Sequence, residues 1–589
     1  MWQLRPVDEP AVADLSHELG VSPTMARLLW LRGFTEPASA RRFWDGREDL
    51  SFLIAPVASP ELDKAVSRLR RAFAEDESIV IYGDYDADGV TAAALLYRYL
   101  KHGPKARVTA YLPDRFTDGY GINAKAVARL HAEGHRVIVT CDNGISAHEA
   151  AEVARTLGID MIVTDHHQMP PTLPEAYALV HPQVDFPRLQ DLSGVGVALL
   201  LVIALEGGWS ERLRPMLDLV ALGSIADVVP LTGPNRALVW AGLTHIRQSR
   251  RLRPGLQALI DITGHAKAQT LTARNVAFSL APMINAAGRI EQPGLAFDLL
   301  VTDDPAEAQA LAQELQAINE ERRELDRATV DRICAEIDRE GAHTRDPFLV
   351  LADADFHHGV TGIVAGRLKE RYRKPVLLLS HHEGDVWKGS GRSLEGCHLY
   401  EALAGCEALL LGFGGHAQAA GCSVREANIP ELRRRLNAYL EAIAWSPPEA
   451  AHWLEASPPL ADYTPALIAE LEHLEPTGAG NPAPALGLLH ARVLRTRTDR
   501  SGRHLFLVVD DGETVREVVA WGRGDEAESI GEWVHLQLRP RLKTYKGAET
   551  LELHAEAIER AEPPRAPAAE EPRATEGPTV VDHRQRPDR

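Results

Sequence analysis

Short apolar runs alternate with helical stretches between residues 77 and 182. The runs SIVIYGD (78–84), RVIVTCD (136–142) and IDMIVTD (159–165) predict three buried strands, and YALVHP (177–182) predicts a fourth. Between them, VTAAALLYRYL (90–100) and SAHEAAEVARTL (146–157) have helical character. Apolar strands that alternate with helices are typical of a parallel sheet covered on both faces. The pattern therefore predicts an α/β domain whose strand ends share one edge, which is where such sheets bind ligands.

A long helix is predicted over residues 305–340, because this segment has no Gly and no Pro after Pro305. Its apolar residues lie roughly on one helical stripe: Leu311, Leu315, Ile318, Leu325, Ile333 and Ile337. An unbroken helix would reach about 50 Å at 1.5 Å per residue. It would connect two domains and wall a groove between them. An amphipathic helix split in two stays open as the alternative.

The remaining patterns divide the chain further. A second α/β domain is predicted from PFLVLADAD onward, and short alternating runs such as HLFLVVDD and REVVAWG predict a small β-barrel. The Pro-rich end has little to bury and is expected to be disordered. The predicted organisation is a helical leader (1–46), a first α/β domain (47–303), the connecting helix (304–340), a second α/β domain (341–455), a linker (456–488), the barrel (489–560) and the tail (561–589).

Composition fits a globular protein of several domains. The chain has 589 residues, of which 45% are hydrophobic, a length too great for one core. Its longest apolar run, VALLLVIAL (197–205), falls far short of the ~20 residues that cross a bilayer. The N-terminus lacks the apolar core of a signal peptide, and the five cysteines are scattered. We therefore expect a cytoplasmic protein with reduced thiols and no membrane contact, and a monomer by default.

The net charge of −19 lowers the expectation of nucleic-acid binding without excluding it. Basic residues nevertheless cluster in the barrel region. RVLRTRTDRSGR (492–503) has five Arg to one Asp, and RPRLKTYK (539–546) has four cations around Tyr545. Cations with an aromatic residue on short strands are typical of an oligonucleotide-binding (OB) fold that holds single strands. A solvated charged face is the alternative.

Carboxylates and imidazoles follow the predicted strands. Asp84, Asp86 and Asp88 come just beyond the first strand, Asp142 beyond the second, and His166 and His167 beyond the third, while a later predicted apolar helix, 216–231, presents Asp227 near its end. Carboxylates with one or two imidazoles and no thiolate suit Mn²⁺ or Mg²⁺. There are enough carboxylates for two ions that share a bridging Asp. The alternative is a set of turn acids and helix N-caps.

These motifs resemble a known family over about residues 45–560. GDYDADGVT, CDNG and TDHH resemble the signature of the DHH phosphoesterase family, with Asp227 matching the fourth motif. SGRS (390–393) and GGHAQAAG (414–421) resemble the DHH-associated domain. PDRFTDGYG (113–121), INAAGRI (284–290) and LEPTGAGNPAP (474–484) are similar to the family's single-strand-specific exonucleases. The resemblance implies a DHH phosphoesterase core, a DHH-associated domain and an OB-fold barrel, in that order.

The resemblance also implies roles for individual residues. Asp86, Asp88, Asp142, His166 and Asp227 would bind two Mn²⁺ or Mg²⁺ ions, with Asp142 as the bridge. Asp84 is a further candidate ligand, because Tyr82 stands where many members have His. His167 would lie behind the ligands or beside the scissile phosphate. Arg115, Arg289, Ser390, Arg392 and His416 would bind phosphates of the strand, with Arg367 as a further candidate.

The implied activity is metal-dependent hydrolysis of single-stranded DNA from its 5′ end. Such an enzyme would release 5′-mononucleotides in recombination and repair, alongside a single-strand-binding protein and a helicase. Two alternatives remain: a DHH phosphodiesterase acting on short oligonucleotides or cyclic dinucleotides, and a non-catalytic scaffold. A channel walled by the long helix would exclude a duplex about 20 Å wide and account for single-strand selectivity.

Overall fold

The computed structural model describes residues 2–47, 49–53, 59–114, 121–186, 188–264, 268–289, 294–341, 345–448, 451–545 and 548–564. The predicted phosphate ligand Arg115 lies outside these ranges, as does the predicted disordered tail from residue 565 onward. Within the described ranges, no helix is both long and apolar enough to cross a membrane.

The N-terminal segment packs against the far end of the chain. It contains β1 (Trp2–Leu4), α1 (Glu9–Leu19), α2 (Pro23–Leu31) and α3 (Pro37–Gly46). Residues of these helices, including Leu15 and Leu28, share one hydrophobic core with barrel residues such as Leu486 and Leu536. The predicted helical leader thus forms a layer over the barrel, where its apolar faces are buried against barrel residues.

The first α/β domain contains the predicted parallel sheet, with strand order β3-β2-β4-β5-β6. Alternate residues of β2 belong to different cores, with Ile79 and Ile81 in one and Val80 and Tyr82 in the other, so both faces are covered. The elements are α4 (Pro60–Ala74), β2 (Ile79–Tyr82), α5 (Ala87–His102), β3 (Val108–Tyr111), α6 (Ala124–Ala132), β4 (Val137–Thr140), α7 (His148–Leu157), β5 (Asp160–Thr164), β6 (Ala178–Val180) and α8 (Pro182–Asp185).

A helical layer completes this domain. Helices α9 and α10 are apolar on nearly all sides and are almost fully buried beneath the sheet and the neighbouring helices. The layer consists of α9 (Gly194–Glu206), α10 (Leu217–Ala226), α11 (Gly233–Gln248), α12 (Pro254–Thr263), α13 (Ala273–Asn275), α14 (Ala281–Ala287) and α15 (Gly294–Val301). A π-helical turn, Val276–Leu280, links α13 to α14.

The long connecting helix is confirmed as one unbroken element, α16 (Pro305–Glu340), of 36 residues. Asp304 caps its N-terminus by accepting a hydrogen bond from the backbone of Ala306, and Gly341 ends it in the left-handed conformation. At 1.5 Å per residue the helix is about 54 Å long. Its first half packs on the first α/β domain, and its second half packs on the next one.

The second α/β domain has a mixed sheet in the order β10-β11-β9-β8-β7, in which β7 and β8 are parallel. Its elements are β7 (Leu349–Asp353), α17 (Thr361–Tyr372), β8 (Val376–Glu383), β9 (Val386–Arg392), α18 (Leu399–Ala404), β10 (Leu410–Gly415), β11 (Ala419–Arg425) and α19 (Ile429–Ala442). Helix α17 packs against α16, β8 and β9, so its first turn lies beside the SGRS strand.

The C-terminal region confirms the predicted barrel, which is closed in the order β13-β14-β15-β17-β16. Its elements are β12 (His452–Leu454), α20 (Pro465–Glu472), β13 (Leu486–Thr498), β14 (Leu505–Asp510), β15 (Val515–Ala520), β16 (Trp533–Tyr545) and β17 (Ala548–Arg560). The segment 456–488, expected as a linker, contains α20 and buries Tyr463 and Leu474 in the barrel core. The exact domain limits stay predictions.

Candidate metal centre and phosphate site

The ends of three neighbouring strands bring the predicted ligands together. Strands β2, β4 and β5 are adjacent and parallel, so the segments that follow them lie along one edge. Three groups of side chains could each hold an ion, because the potential ligand atoms within a group, one from each residue, all lie within 4.8 Å of one another. The groups are Asp84, Asp86 and Asp142; Asp88, His166 and Asp227; and Asp142, His166 and His167. The first two groups share no residue, so these side chains offer enough ligand atoms for two ions, and Asp142 belongs to both the first group and the third.

Local backbone structure explains how the first carboxylates are presented. Asp86 is the N-cap of α5, and its side chain accepts hydrogen bonds of 3.0 Å from the backbones of Asp88 and Gly89. Asp142 has a left-handed φ of 65°, and its backbone N–H donates to the Thr164 carbonyl at 3.0 Å. This uncommon conformation turns the chain sharply after β4 and places a carboxylate at the strand edge.

Asp88 is held by the start of another helix, a contact that sequence reasoning missed. The backbone N–H groups of Gly194 and Val195, in the first turn of α9, donate to its two oxygens at 2.6 and 3.0 Å. Gly223 on α10 permits this approach, since a Cβ there would lie 2.7 Å from Asp88 Oδ1. The sequence signal was Ser193, a good N-cap residue before a Gly-containing apolar helix.

His166 lies at the centre of the cluster. Its Nε2 is 3.0 Å from Asp142 Oδ1, 3.5 Å from Asp227 Oδ2 and 3.7 Å from Asp88 Oδ2. Nε2 and Asp142 Oδ1 are buried, yet among the described residues neither has a hydrogen-bond partner, because their 3.0 Å approach is poorly aligned for a hydrogen bond. A buried imidazole nitrogen that lies among three carboxylates without a hydrogen-bond partner is in a position typical of a metal-binding His.

The protonation equilibria of the cluster fit a divalent cation. Burial, and then the charge of Asp86, raises the pKa of Asp84 to about 8 and that of Asp227 to about 7. Burial, and then the charge of Asp88, raises the pKa of Asp142 well above its ordinary value. Burial lowers the pKa of His166 to about 4, so the ring is neutral and has a free lone pair. These carboxylates repel one another, and a cation would relieve that repulsion.

Asp165 organises the DHH turn without joining the cluster of ligands. Its Oδ2 accepts from the Ile145 backbone at 2.9 Å, while its Oδ1 accepts from His167 Nδ1 at 2.8 Å. Burial alone would lower the pKa of His167, but this hydrogen bond and the charge of Asp165 raise it to about 9. His167, 41% exposed at its side chain, therefore presents a positive charge at the mouth of the cluster.

A second cluster, here called the phosphate cluster, consists of Arg289, Ser390 and Arg392. Arg289 Nη1 donates to the Gly359 carbonyl at 3.0 Å, just before α17. A Cβ on Gly362, in the first turn of α17, would lie 2.9 Å from Arg392 Nη2 and 3.0 Å from Ser390 Oγ. Three predicted phosphate ligands thus converge on one helix N-terminus, a favourable position for an anion.

Two of the remaining predicted phosphate ligands, His416 and the further candidate Arg367, belong to the described residues. His416 is exposed in the turn between β10 and β11, and its backbone N–H donates to Ala419, the register partner of Arg392. Arg367 lies further along α17, where its Nη2 is 3.3 Å from the buried carboxylate of Asp326. Arg367 is therefore an ion-pair partner, and not only the solvated helix residue that its pattern also allowed.

Three family models match the chain in the order of its domains. The DHH family N-terminal domain matches residues 78–224, the DHHA1 domain matches 345–442, and the RecJ OB domain matches 454–557. The chain is 38% identical to the single-stranded-DNA-specific exonuclease RecJ of Escherichia coli (strain K12) over 455 residues, covering 74% of this chain and 77% of that protein. It is 36% identical to the RecJ of Bacillus subtilis (strain 168) over 90% of this chain and 66% of that protein.

Solved structures agree with the sequence relatives. The crystal structure of RecJ in complex with Mn²⁺ from Thermus thermophilus matches with a TM-score of 0.79 and 33% identity, over 95% of this chain and 80% of that one. The corresponding complex with Mg²⁺ matches with a TM-score of 0.73. From the three family models, these relatives and this fold, the chain belongs to the RecJ family of DHH phosphoesterases.

Proposed function

We propose that this chain is a single-stranded-DNA-specific exonuclease that hydrolyses phosphodiester bonds from the 5′ end and releases 5′-mononucleotides. The observation that carries the proposal is the convergence of Asp88, His166 and Asp227 beside Asp84, Asp86 and Asp142. The names of the relatives in E. coli and B. subtilis support the same activity. An intact set of carboxylates also argues against a non-catalytic scaffold.

Two Mn²⁺ or Mg²⁺ ions are the proposed cofactors, since the T. thermophilus relative is described in complex with each metal. Asp86, Asp88, Asp142, His166 and Asp227 would hold them, with Asp142 as the bridge and Asp84 as a further ligand. When bound, such ions supply an activated water and stabilise the charge on the leaving oxygen. The protein keeps His166 neutral by burial, and it keeps the His167 imidazolium, paired with Asp165, beside the position of an anionic substrate.

The phosphate cluster accounts for polarity in this proposal. Arg289, Ser390 and Arg392 would bind the terminal 5′-phosphate at the start of α17, with Arg115 and His416 on neighbouring phosphates. Guanidinium groups match phosphate oxygens in a bidentate manner. The barrel would bind the following nucleotides through its basic segments 492–503 and 539–546. We further propose a role in DNA recombination and repair in the cytoplasm, together with a single-strand-binding protein and a helicase.

The test uses single-stranded DNA labelled at either end, with and without a 5′-phosphate, in the presence of Mn²⁺. We expect mononucleotides from the 5′ end, and we expect the Asp142→Asn variant to be inactive. Asp331→Asn, an exposed position on α16, is the matched control and should keep full activity. Digestion from the 3′ end, or blunt duplex degraded equally fast, would refute the proposal. Faster turnover of cyclic dinucleotides than of long strands would favour the small-substrate phosphodiesterase.

A further inference from the structure

The middle of α16 carries a fully buried carboxylate, Asp326. Its relative exposure is 0%, and among the described residues neither of its oxygens accepts a hydrogen bond. Its nearest ion-pair contact is Arg367 Nη2, 3.3 Å from Oδ2. Burying a charge without hydrogen bonds is costly, so the surrounding charges must account for its presence here.

Those charges come from three different elements. Arg367 belongs to α17 of the second α/β domain, Arg289 follows α14 of the first, and Arg322 lies one turn before Asp326 on α16. All three act on Asp326 electrostatically and oppose the rise in its pKa that burial causes. A guanidinium of the second α/β domain thus pairs with this buried carboxylate at 3.3 Å, and Arg289 of the first domain acts on the same group electrostatically.

The same face of α16 carries other polar groups. Asn319 and Arg322 are 3% and 9% exposed, and Asn319 Oδ1 and Arg322 Nε have no partner in the part of the chain that the structure describes. Asn319, Arg322 and Asp326 are spaced by three and four residues, so they line one side of the helix. Arg289, which reaches across to the Gly359 carbonyl, acts electrostatically on Asp326 of this polar side.

We propose that Asp326 is a positioning residue that holds Arg289 and Arg367 at the edge of the phosphate cluster. This inference rests on the proposed function, because the phosphate cluster is taken to bind the 5′ end. Without the carboxylate, the guanidiniums of Arg289, Arg322 and Arg367 repel one another and separate. Arg289 then keeps its hydrogen bond to Gly359 but loses the negative charge that draws it towards α16, so the distance between the two domains across the cluster is less tightly fixed.

The first experiment compares Asp326→Asn with the wild-type full chain. Asn keeps the shape and removes the charge. Fluorescence anisotropy in EDTA measures the Kd of a 3′-labelled 12-nucleotide strand with a 5′-phosphate and of the same strand with a 5′-hydroxyl. We expect the preference for the 5′-phosphate, given by the ratio of the two Kd values, to fall at least fivefold. The control Asp331→Asn, exposed on the same helix, should leave the ratio unchanged.

A double-mutant cycle tests whether Asp326 acts through Arg367. If it does, Asp326→Asn combined with Arg367→Ala loses less affinity than the product of the two single losses. Three results overturn the inference. The affinity losses of the two single variants multiply fully in the double variant, or Asp326→Asn weakens binding of the 5′-phosphate and 5′-hydroxyl strands equally, or the wild-type chain binds the two strands with the same Kd. Failure of the proposed function looks different, because DNA then stays intact in Mn²⁺ while the Kd ratio can still be measured.

Discussion

Replacing Asp227 by Asn should stabilise the metal-free protein and destabilise the metal-bound one. Asp227 ends α10 and is 24% exposed at its side chain, 3.5 Å from His166 Nε2. Burial, and then the charge of Asp86, raises its pKa from 3.8 to about 7. A carboxyl whose pKa is raised on folding binds its proton more tightly in the folded state. Ionisation of Asp227 therefore lowers the free energy of unfolding as pH rises from about 4 to about 7.

The magnitude follows from this rise in pKa. A rise from 3.8 to about 7 corresponds to about 4 kcal/mol at about 1.4 kcal/mol for each factor of ten. The side chain is partly solvated and its charge is shared among neighbouring carboxylates, so we expect about 1–3 kcal/mol to be recovered in Asp227→Asn at pH 8 in EDTA. At pH 4 the gain should vanish. In saturating Mn²⁺ the variant should be less stable than the wild type, because metal binding to the folded state adds stability that the variant lacks.

The assay is denaturant unfolding of both proteins at pH 4 and pH 8 in EDTA, and at pH 8 in Mn²⁺. Asp218→Asn is the matched control, because Asp218 lies in the first turn of the same helix, is 2% exposed and is paired with Arg253 at 2.7 Å. Breaking this buried pair should cost about 3–5 kcal/mol with or without metal. If Asp227→Asn destabilises the protein in EDTA at pH 8, the idea of uncompensated repulsion in the cluster is wrong.

Three further predictions concern packing, polarity and salt. Gly223→Ala should lower activity about 100-fold in a Mn²⁺-dependent nuclease assay, because its Cβ would lie 2.7 Å from Asp88 Oδ1. Gly366→Ala is the control and should keep full activity, because a Cβ at that position would meet no described atom within 4 Å. Arg289→Ala should raise KM about tenfold for 5′-phosphorylated strands and less for 5′-hydroxyl strands, since a charged hydrogen bond contributes about 1.5–3 kcal/mol. An equal rise in KM for both kinds of strand would contradict binding of the terminal phosphate by Arg289. The double variant Arg495→Ala and Arg500→Ala should reduce the slope of log K against log salt by about 0.7 for each phosphate that the variant no longer binds. Replacing Arg492 and Arg497 should change this slope less, because they are already paired with Glu532 and Glu517.

Much of this architecture was predictable because its signals are local. Apolar runs that end in acids predicted the sheet edge, and the absence of Gly and Pro predicted α16. The contacts of Asp88 were not predictable, because Gly194 is 106 residues away and only folding brings its N–H group to the carboxylate. The burial of Asp326 was hidden for the same reason, since an Asp on a charged helix has the pattern of a solvated residue.

The core shared by the N-terminal helices and the barrel has a consequence for synthesis on the ribosome. Leu15 and Leu28 share their core with Leu536, so that core can be completed only after Leu536 has been made. At about 5–20 residues per second, the first helices wait roughly 25–100 seconds for their partner. During that time their apolar faces are open to chaperones and to neighbouring nascent chains. Premature termination before the barrel should therefore leave the N-terminal helices with exposed apolar faces and make the fragment prone to aggregation.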